Sequence, residues 1–330
     1  MLSTRLTSAL DIRHPIISAP MAFAAGGALA AAVSHAGGLG LIGGGYGDPD
    51  WIEEQFAAAG NARVGCGFIT WNLKNRPEVL ERALAHAPLA LFLSFGDPQP
   101  YAARIREGGA RLIVQVQSAE DARRALDCGA DIIVAQGAEA GGHGECRATM
   151  TLVPEIADLL AARAPDTLLC AAGGIADGRG LAASLMLGAD GVVIGSRFWA
   201  ATEALVHPNM HAAATAATGD DTIRSSVMDI VRKRAWPSRF TARVLKNPFT
   251  REWHGREYEL ATETEQLGPR WETAWREGDT ALANTFVGEA VGIIDAIEPA
   301  ADLLNRIAGQ AETLLANAGQ ANAGRPFNAV

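Results

Sequence analysis

The sequence predicts an eight-stranded α/β barrel, and three observations predict it. Eight short, near-continuously apolar runs recur along the first two-thirds of the chain, amphipathic segments lie between them, and glycine joints mark the return from helix to strand. The runs are 15–19, 39–43, 64–69, 89–95, 111–116, 131–136, 168–172 and 191–195, each rich in Leu, Ile, Val or Phe and short enough to be a strand. Between them, 28–35, 50–59, 77–86, 101–107, 119–128, 153–164 and 180–187 carry apolar residues at helical spacing, as crossover helices require. The joints Gly37-Gly38-Leu39, Gly109-Ala110-Arg111, Gly129-Ala130-Asp131 and Gly188-Ala189-Asp190 place a glycine where a helix ends in left-handed backbone. A doubly wound open sheet would instead call for GxGxxG after its first strand. Gly43-Gly44-Gly45-Tyr46-Gly47 follows the second and matches that motif poorly.

After about residue 200 the pattern changes. No convincing strand follows, whereas Trp236, Trp253, Trp271 and Trp275 stand among Arg/Glu-rich stretches that read as helix. The expected organisation is a barrel from 1–205 and 279–330, with 206–278 as a smaller, mostly helical domain on its top. Segments 286–297 and 303–315 are expected as helices that return to close the barrel. The tail, 317–330, offers little to bury.

Composition bounds the function. With 330 residues, 48% hydrophobic and 20% charged, the chain is an ordinary globular protein, and its net charge of -9 disfavours nucleic acid or an anionic membrane as partner. No apolar run reaches membrane-spanning length and residues 1–5 lack the apolar core of a signal peptide, so the expected location is cytoplasmic. Cys66, Cys128, Cys146 and Cys170 are scattered without metal-like spacing, so neither a disulfide framework nor a metal site is expected. Cys66, Cys128 and Cys170 read as small buried hydrophobes.

In this fold the chemistry sits at the C-terminal ends of the strands, and the loops after the seventh and eighth are the usual phosphate site. The seventh run leads into Ala172-Gly173-Gly174-Ile175, where two glycines let the backbone turn sharply and bare its amides to an anion. The eighth leads into Gly195-Ser196, a glycine and a hydroxyl donor, so two adjacent units converge on one phosphate. The sixth leads into Gln136-Gly137-Ala138-Glu139-Ala140-Gly141-Gly142-His143-Gly144, which brings a titratable imidazole to the mouth through flexible glycines. His143 reads as a catalytic base, against the plainer alternative of a structural histidine. Cys146 is a weaker candidate nucleophile, because nothing adjacent depresses its pKa. At the first strand end, Ala19, Pro20 and Met21 offer backbone polar groups and a thioether to a flat aromatic ligand, or simply end the strand. Asn72 and Gln115 either hydrogen-bond the edge of such a ring or cap loops.

Ala19-Pro20-Met21, Gln136 with Glu139-Ala140-Gly141-Gly142-His143, the block from Ala172 to Gly180, and Gly195-Ser196-Arg197-Phe198, in this order over about residues 10–205, resemble the nitronate monooxygenase family, formerly 2-nitropropane dioxygenases. The resemblance implies a TIM barrel that binds FMN without covalent attachment. Its phosphate would lie on the Gly173/Gly174 and Gly195/Ser196 amides and its isoalloxazine near Met21, Asn72 and Gln115. Ala19, Pro20, Gln136, Ala140, Gly141, Gly142, Ala172 and Ile175 would complete the cofactor site, with His143 as the catalytic base. It implies an oxidoreductase using O2 to convert alkyl nitronates to carbonyl compounds and nitrite. The alternative is NAD(P)H-dependent reduction of a quinone or enoyl thioester, as relatives with nearly the same blocks perform, and a homodimer is left open. One departure stands out: some relatives carry Lys where Gln115 aligns, so the charge that would stabilise reduced flavin is missing or comes from elsewhere. The tryptophans of 206–278 would then shield the flavin from water, or belong to a plain packing domain.

Overall fold

The computed structural model describes residues 2–318. Eleven strands occur among them: β1 Ile16–Ser18, β2 Leu41–Gly45, β3 Gly65–Ile69, β4 Ala90–Ser94, β5 Arg111–Val116, β6 Ile132–Gln136, β7 Gly142–Gly144, β8 Leu168–Ala172, β9 Gly191–Ile194, β10 Thr222–Ser225 and β11 Thr241–Leu245. Eight form one parallel sheet in the order β1-β9-β8-β6-β5-β4-β3-β2. Its two edges meet through a parallel bridge between Ile17 and Leu39, where Ser18 N donates to Leu39 O and Leu39 N to Ile16 O, each at 3.0 Å. The result is the expected (β/α)8 barrel, and all eight expected runs lie in it.

Each crossover helix forms where the sequence places it. Asp48 caps Pro49–Ala59 by accepting from Asp50 N and Trp51 N, with Pro49 pre-set at the first helical turn, and Ser118 caps Ala119–Asp127 by accepting from Asp121 N. The four joint glycines hold positive φ, as expected: Gly37 +98°, Gly109 +77°, Gly129 +76° and Gly188 +97°.

Three apolar clusters organise the molecule. One lies between the sheet and its ring of helices. A second fills the barrel interior with inward residues such as Ile17, Phe92, Val134 and Val193, and Leu6 and Leu10 join it from the short helix Arg5–Leu10, which stoppers the barrel. That helix carries no distinct signal in the sequence. Burial pushes the thiol of Cys66 up to about 12, as fits a small apolar core residue. Cys128 and Cys170 are also buried, while Cys146 is exposed.

The third cluster is the core of the region over the barrel top, and here the structure corrects the sequence-based expectation. Helices Pro208–Thr215, Val227–Val231, Pro248–Trp253 and Glu257–Glu277 are present. So are two strands, β10 and β11, that were not expected; they pair antiparallel with each other, and β11 pairs with β7 from the barrel's sixth loop. Their sequences, Thr-Ile-Arg-Ser and Thr-Ala-Arg-Val-Leu, are short and alternate weakly, so long-range pairing rather than local pattern makes them strands. Segment 286–297 holds only the 3-10 turn Glu289–Ile293, and its Val287, Val291 and Ile294 pack in this upper core instead of closing the barrel. Helix Ala300–Asn317 does return, burying Leu303, Leu304 and Ile307 against the barrel's helix layer. The tail expectation for 319–330 lies outside the described residues. No helix among the described residues is long and apolar enough to cross a membrane.

Because Leu6 is fully buried in the barrel interior, Leu6→Ala should lower the free energy of unfolding by about 2–5 kcal/mol. Urea unfolding followed by circular dichroism checks it.

Candidate active site

At the C-terminal end of the barrel one cavity gathers the loops after β1, β6, β8 and β9 under residues of the upper region. Its lining includes Ala19, Pro20, Met21, Gln115, Gln136, Ala140, Gly141, Gly142, His143, Ala172, Gly173, Gly174, Ile175, Gly195 and Ser196, so fifteen of the sixteen residues expected to bind the cofactor or act as base meet in one place. Asn72 is the exception. It sits on the short helix Thr70–Leu73, and its Nδ2 donates to the Tyr46 carbonyl at 2.6 Å, so it fastens a loop whose Tyr46 faces the cavity in its stead.

The loop after β8 has the geometry an anion cradle needs. Gly173 and Gly174 hold φ of +103° and +73°, and among the described residues no backbone carbonyl accepts from either amide. Across from them Ser196 Oγ accepts from Gly288 N at 2.9 Å, which leaves the hydroxyl proton free to donate. At Gly195 an added Cβ would meet Ala19 Cβ at 3.7 Å and Met21 Sδ at 3.9 Å, ordinary van der Waals contacts, so this side of the cradle is not crowded by backbone. Asp177 accepts from the amides of Arg179 and Gly180 and caps the following helix, so that helix end is already satisfied. The donor set therefore fits a phosphate on the loop amides and the Ser196 hydroxyl, and the adjoining apolar space fits a flat ring.

Gln136 ends β6 and is spent on architecture. Its Oε1 accepts from Gln115 Nε2 at 3.1 Å and from Gln117 Nε2 at 2.8 Å, while its own Nε2 donates to the His143 carbonyl at 3.1 Å. Gln115, expected to hydrogen-bond a ring edge or cap a loop, is thus bonded to Gln136, which in turn holds the His143 strand. That strand is β7, paired to β11 with Ala242 opposite His143, so the imidazole is pinned in a ladder and not hung on flexible glycines as the sequence suggested.

His143 Nε2 lies 2.8 Å from Asp229 Oδ2. A carboxylate only accepts, so Nε2 carries the proton and Nδ1 is the basic nitrogen of the neutral ring. The second Asp229 oxygen accepts from Arg232 Nη2 at 2.9 Å, and Arg232 Nε donates to the Met228 carbonyl at 2.7 Å. Trp236 stacks flat on the imidazole, centroids 3.4 Å apart and planes within 5°. Burial holds the His143 pKa below its ordinary value, and the Asp229 hydrogen bond offsets part of that shift. The ring is consequently neutral, and able to accept a proton, at pH 7.

Asp229, Arg232 and Trp236 were not recognised as site residues in the sequence. They lie 86 or more positions beyond His143, and only the tryptophan carried a signal, as one of several over the barrel. Of those tryptophans, Trp236 and Trp275 line the cavity, while Trp253 and Trp271 are buried in the upper core. Cys146 is exposed and not part of the lining.

A model of the nitronate monooxygenase family matches residues 3–83 and 71–310. The chain is 34% identical to nitronate monooxygenase npaC of Metarhizium robertsii, covering 91% of each chain. Among solved structures it resembles FabK from Thermotoga maritima, with TM-score 0.85 and 31% identity over 96% of this chain and 99% of that one. It also shares the fold of nitroalkane oxidase from Streptomyces ansochromogenes, with TM-score 0.79 and 24% identity over 96% and 100%.

In a histidine-ring NMR titration, His143 should titrate below 6.5, the usual imidazole value. Asp229→Asn should move it lower still, because the carboxylate raises it. A titration at or above 6.5 would show that burial does not outweigh the Asp229 carboxylate at this ring.

Proposed function

We propose, because the chain belongs to the nitronate monooxygenase family, that it is an FMN-dependent oxidoreductase that oxidises alkyl nitronates with O2 to carbonyl compounds and nitrite. The observation that carries this reading is a buried, neutral imidazole bonded to Asp229 in the same cavity as a two-glycine anion cradle. When bound, FMN supplies the two-electron acceptor and the chemistry with oxygen. The amides of Gly173 and Gly174 and the hydroxyl of Ser196 would hold its phosphate, and Met21, Gln115 and the Ala19-Pro20 backbone would border its ring.

The protein's own part is proton handling and exclusion of water. For a neutral nitroalkane, His143 Nδ1 takes the α-proton, and the resulting imidazolium is stabilised by Asp229 at Nε2. For a nitronate the proton has already left, so the same ring only hydrogen-bonds the nitro group. Residues 206–278 act in this reading as a cap: Trp236 covers one face of the imidazole and restricts its rotation.

A second reading keeps the barrel and FMN but reduces a quinone or enoyl thioester with NAD(P)H. The likeness to FabK is what favours it. Anaerobic addition of NADH or NADPH separates the two: the first reading expects no bleaching of the flavin by either, and rapid bleaching would install the second.

The purified protein should be yellow and release FMN on denaturation, and Gly174→Val should sharply weaken FMN binding, because a β-branched residue resists positive φ and covers the amide. A colourless protein that FMN cannot reconstitute would refute the cofactor assignment. His143→Ala should keep FMN and lose about 10²–10⁴-fold in kcat/KM on a neutral nitroalkane, with a much smaller loss on its nitronate. The acid limb of the wild-type rate on the nitroalkane should have its midpoint below pH 6.5, since burial lowers the His143 pKa from that value and protonation of the base removes the activity. Equal losses on both substrates would make His143 a binding group instead of a base.

A further inference from the structure

Two cavity residues hold a backbone conformation that phenylalanine rarely adopts. Phe23, in the loop after β1, has φ +65°, and Phe95, directly after β4, has φ +63°. For a bulky side chain this left-handed region is strained, and such strain persists only where the surroundings impose it. Core burial does not explain Phe23, which is 47% exposed. What the two share is the cavity: both rings line it.

Between them stand Tyr46 and Trp236. Phe23 stacks on Tyr46 at 6.3 Å, Tyr46 meets Trp236 edge-on at 6.3 Å, and Phe95 meets Trp236 edge-on at 5.2 Å. Trp236 Nε1 donates to Tyr46 Oη at 2.9 Å, which satisfies the indole and leaves the phenol proton to donate. Four aromatic rings thus make one continuous wall beside His143.

The charges of the lining are all spent within the protein. The Glu139 carboxylate accepts from Thr149 N and Oγ1, His143 Nε2 is bonded to Asp229, and His207 Nδ1 accepts from Asn209 N. Arg232 is bonded to Asp229 and Met228 and lies over the rings of Trp271 and Phe286 at 5.1 and 5.5 Å. Arg234, outside the lining, holds its guanidinium over Tyr46 at 4.4 Å. Within the lining the one carboxylate, Glu139, and the one guanidinium, Arg232, are each already bonded inside the protein, so an incoming carboxylate would be desolvated with no surplus cation to meet it. An uncharged ring would meet apolar and aromatic faces instead.

We propose that the substrate end of this cavity selects a nitronate whose carbon bears an uncharged aromatic substituent and rejects one bearing a carboxylate, an inference that rests on the nitronate-oxidising reading above. Strained Phe23 and Phe95 are its specificity determinants.

The test uses the FMN-loaded protein and three nitronates, those of 2-phenyl-1-nitroethane, nitroethane and 3-nitropropionate, with initial oxygen consumption as the readout. Phenylacetamide and phenylacetate, which do not react, are titrated in parallel by tryptophan fluorescence. The expected kcat/KM for the phenyl substrate is at least tenfold above ethyl nitronate and a hundredfold above propionate 3-nitronate, and phenylacetamide should bind at least tenfold tighter than phenylacetate. Phe23→Gly, which accepts the positive φ, should melt no lower than wild type and cut the phenyl-to-ethyl ratio about tenfold. Equal kcat/KM for the phenyl and ethyl substrates, a preference for propionate 3-nitronate, or an unchanged ratio in Phe23→Gly would overturn the proposal. Should no nitronate consume oxygen, the nitronate-oxidising reading fails; selection for an uncharged aromatic then stands if phenylacetamide binds tighter and falls if the two bind alike.

Discussion

The hydrogen bond from His143 to Asp229 is the constraint on which the site depends, because it ties a barrel loop to the region above it. Its donor lies on β7, a three-residue strand of the sixth barrel loop, and its acceptor on the helix Val227–Val231. Both side chains are nearly sealed from solvent, at 9% and 4% exposed, so each needs the other. A hydrogen bond to a charged group contributes about 1.5–3 kcal/mol, and losing one partner leaves the other unsatisfied in a poor solvent for ions. Arg232 completes the arrangement by pairing the second carboxylate oxygen, so the buried charge is balanced.

That tie also decides what the imidazole can do. Placing the proton on Nε2 makes Nδ1 the basic nitrogen, and the stacked Trp236 blocks rotation that would exchange them. The β7–β11 ladder holds the backbone, and Gln136 holds it again through the His143 carbonyl. A loop with four glycines is therefore rigid where it carries its imidazole. The glycines serve close approach instead: at Gly141 an added Cβ would lie 2.5 Å from Gly288 N, so the loop could not pass the segment that covers it.

The cavity divides into two ends with different physics. At the barrel end the polar contacts come from backbone amides and one hydroxyl, fixed in space by the strands beneath them, which suits an anion without placing a cation there. At the outer end the contacts are aromatic, supplied jointly by loops of the barrel and by Trp236 from above. His143 stands between, in surroundings dry enough to depress its pKa and polar enough, through Asp229, to tolerate a transient charge.

The barrel was legible in the chain because its cause is local and periodic: apolar runs of strand length recur eight times, with amphipathic crossovers between them and glycines where φ turns positive. The sharp turn at Gly173 and Gly174 was legible too, since a glycine after a buried strand is a backbone requirement that no distant residue alters. Strands β10 and β11 were not, because four or five residues of weak alternation become a strand only when a partner supplies the ladder; β7 pairs with β11, and β11 with β10. Asn72 shows the limit at one residue: the sequence fixes that it follows the third strand, while the fold decides that a carbonyl of the neighbouring loop captures its amide. What the sequence by itself determined is the barrel, the loops at its mouth and His143 among them. Only the tertiary structure decided the partners of that imidazole, Asp229 and Trp236, because a charge and a ring 86 and 93 positions away meet it through packing of the upper region, and nothing local records that meeting.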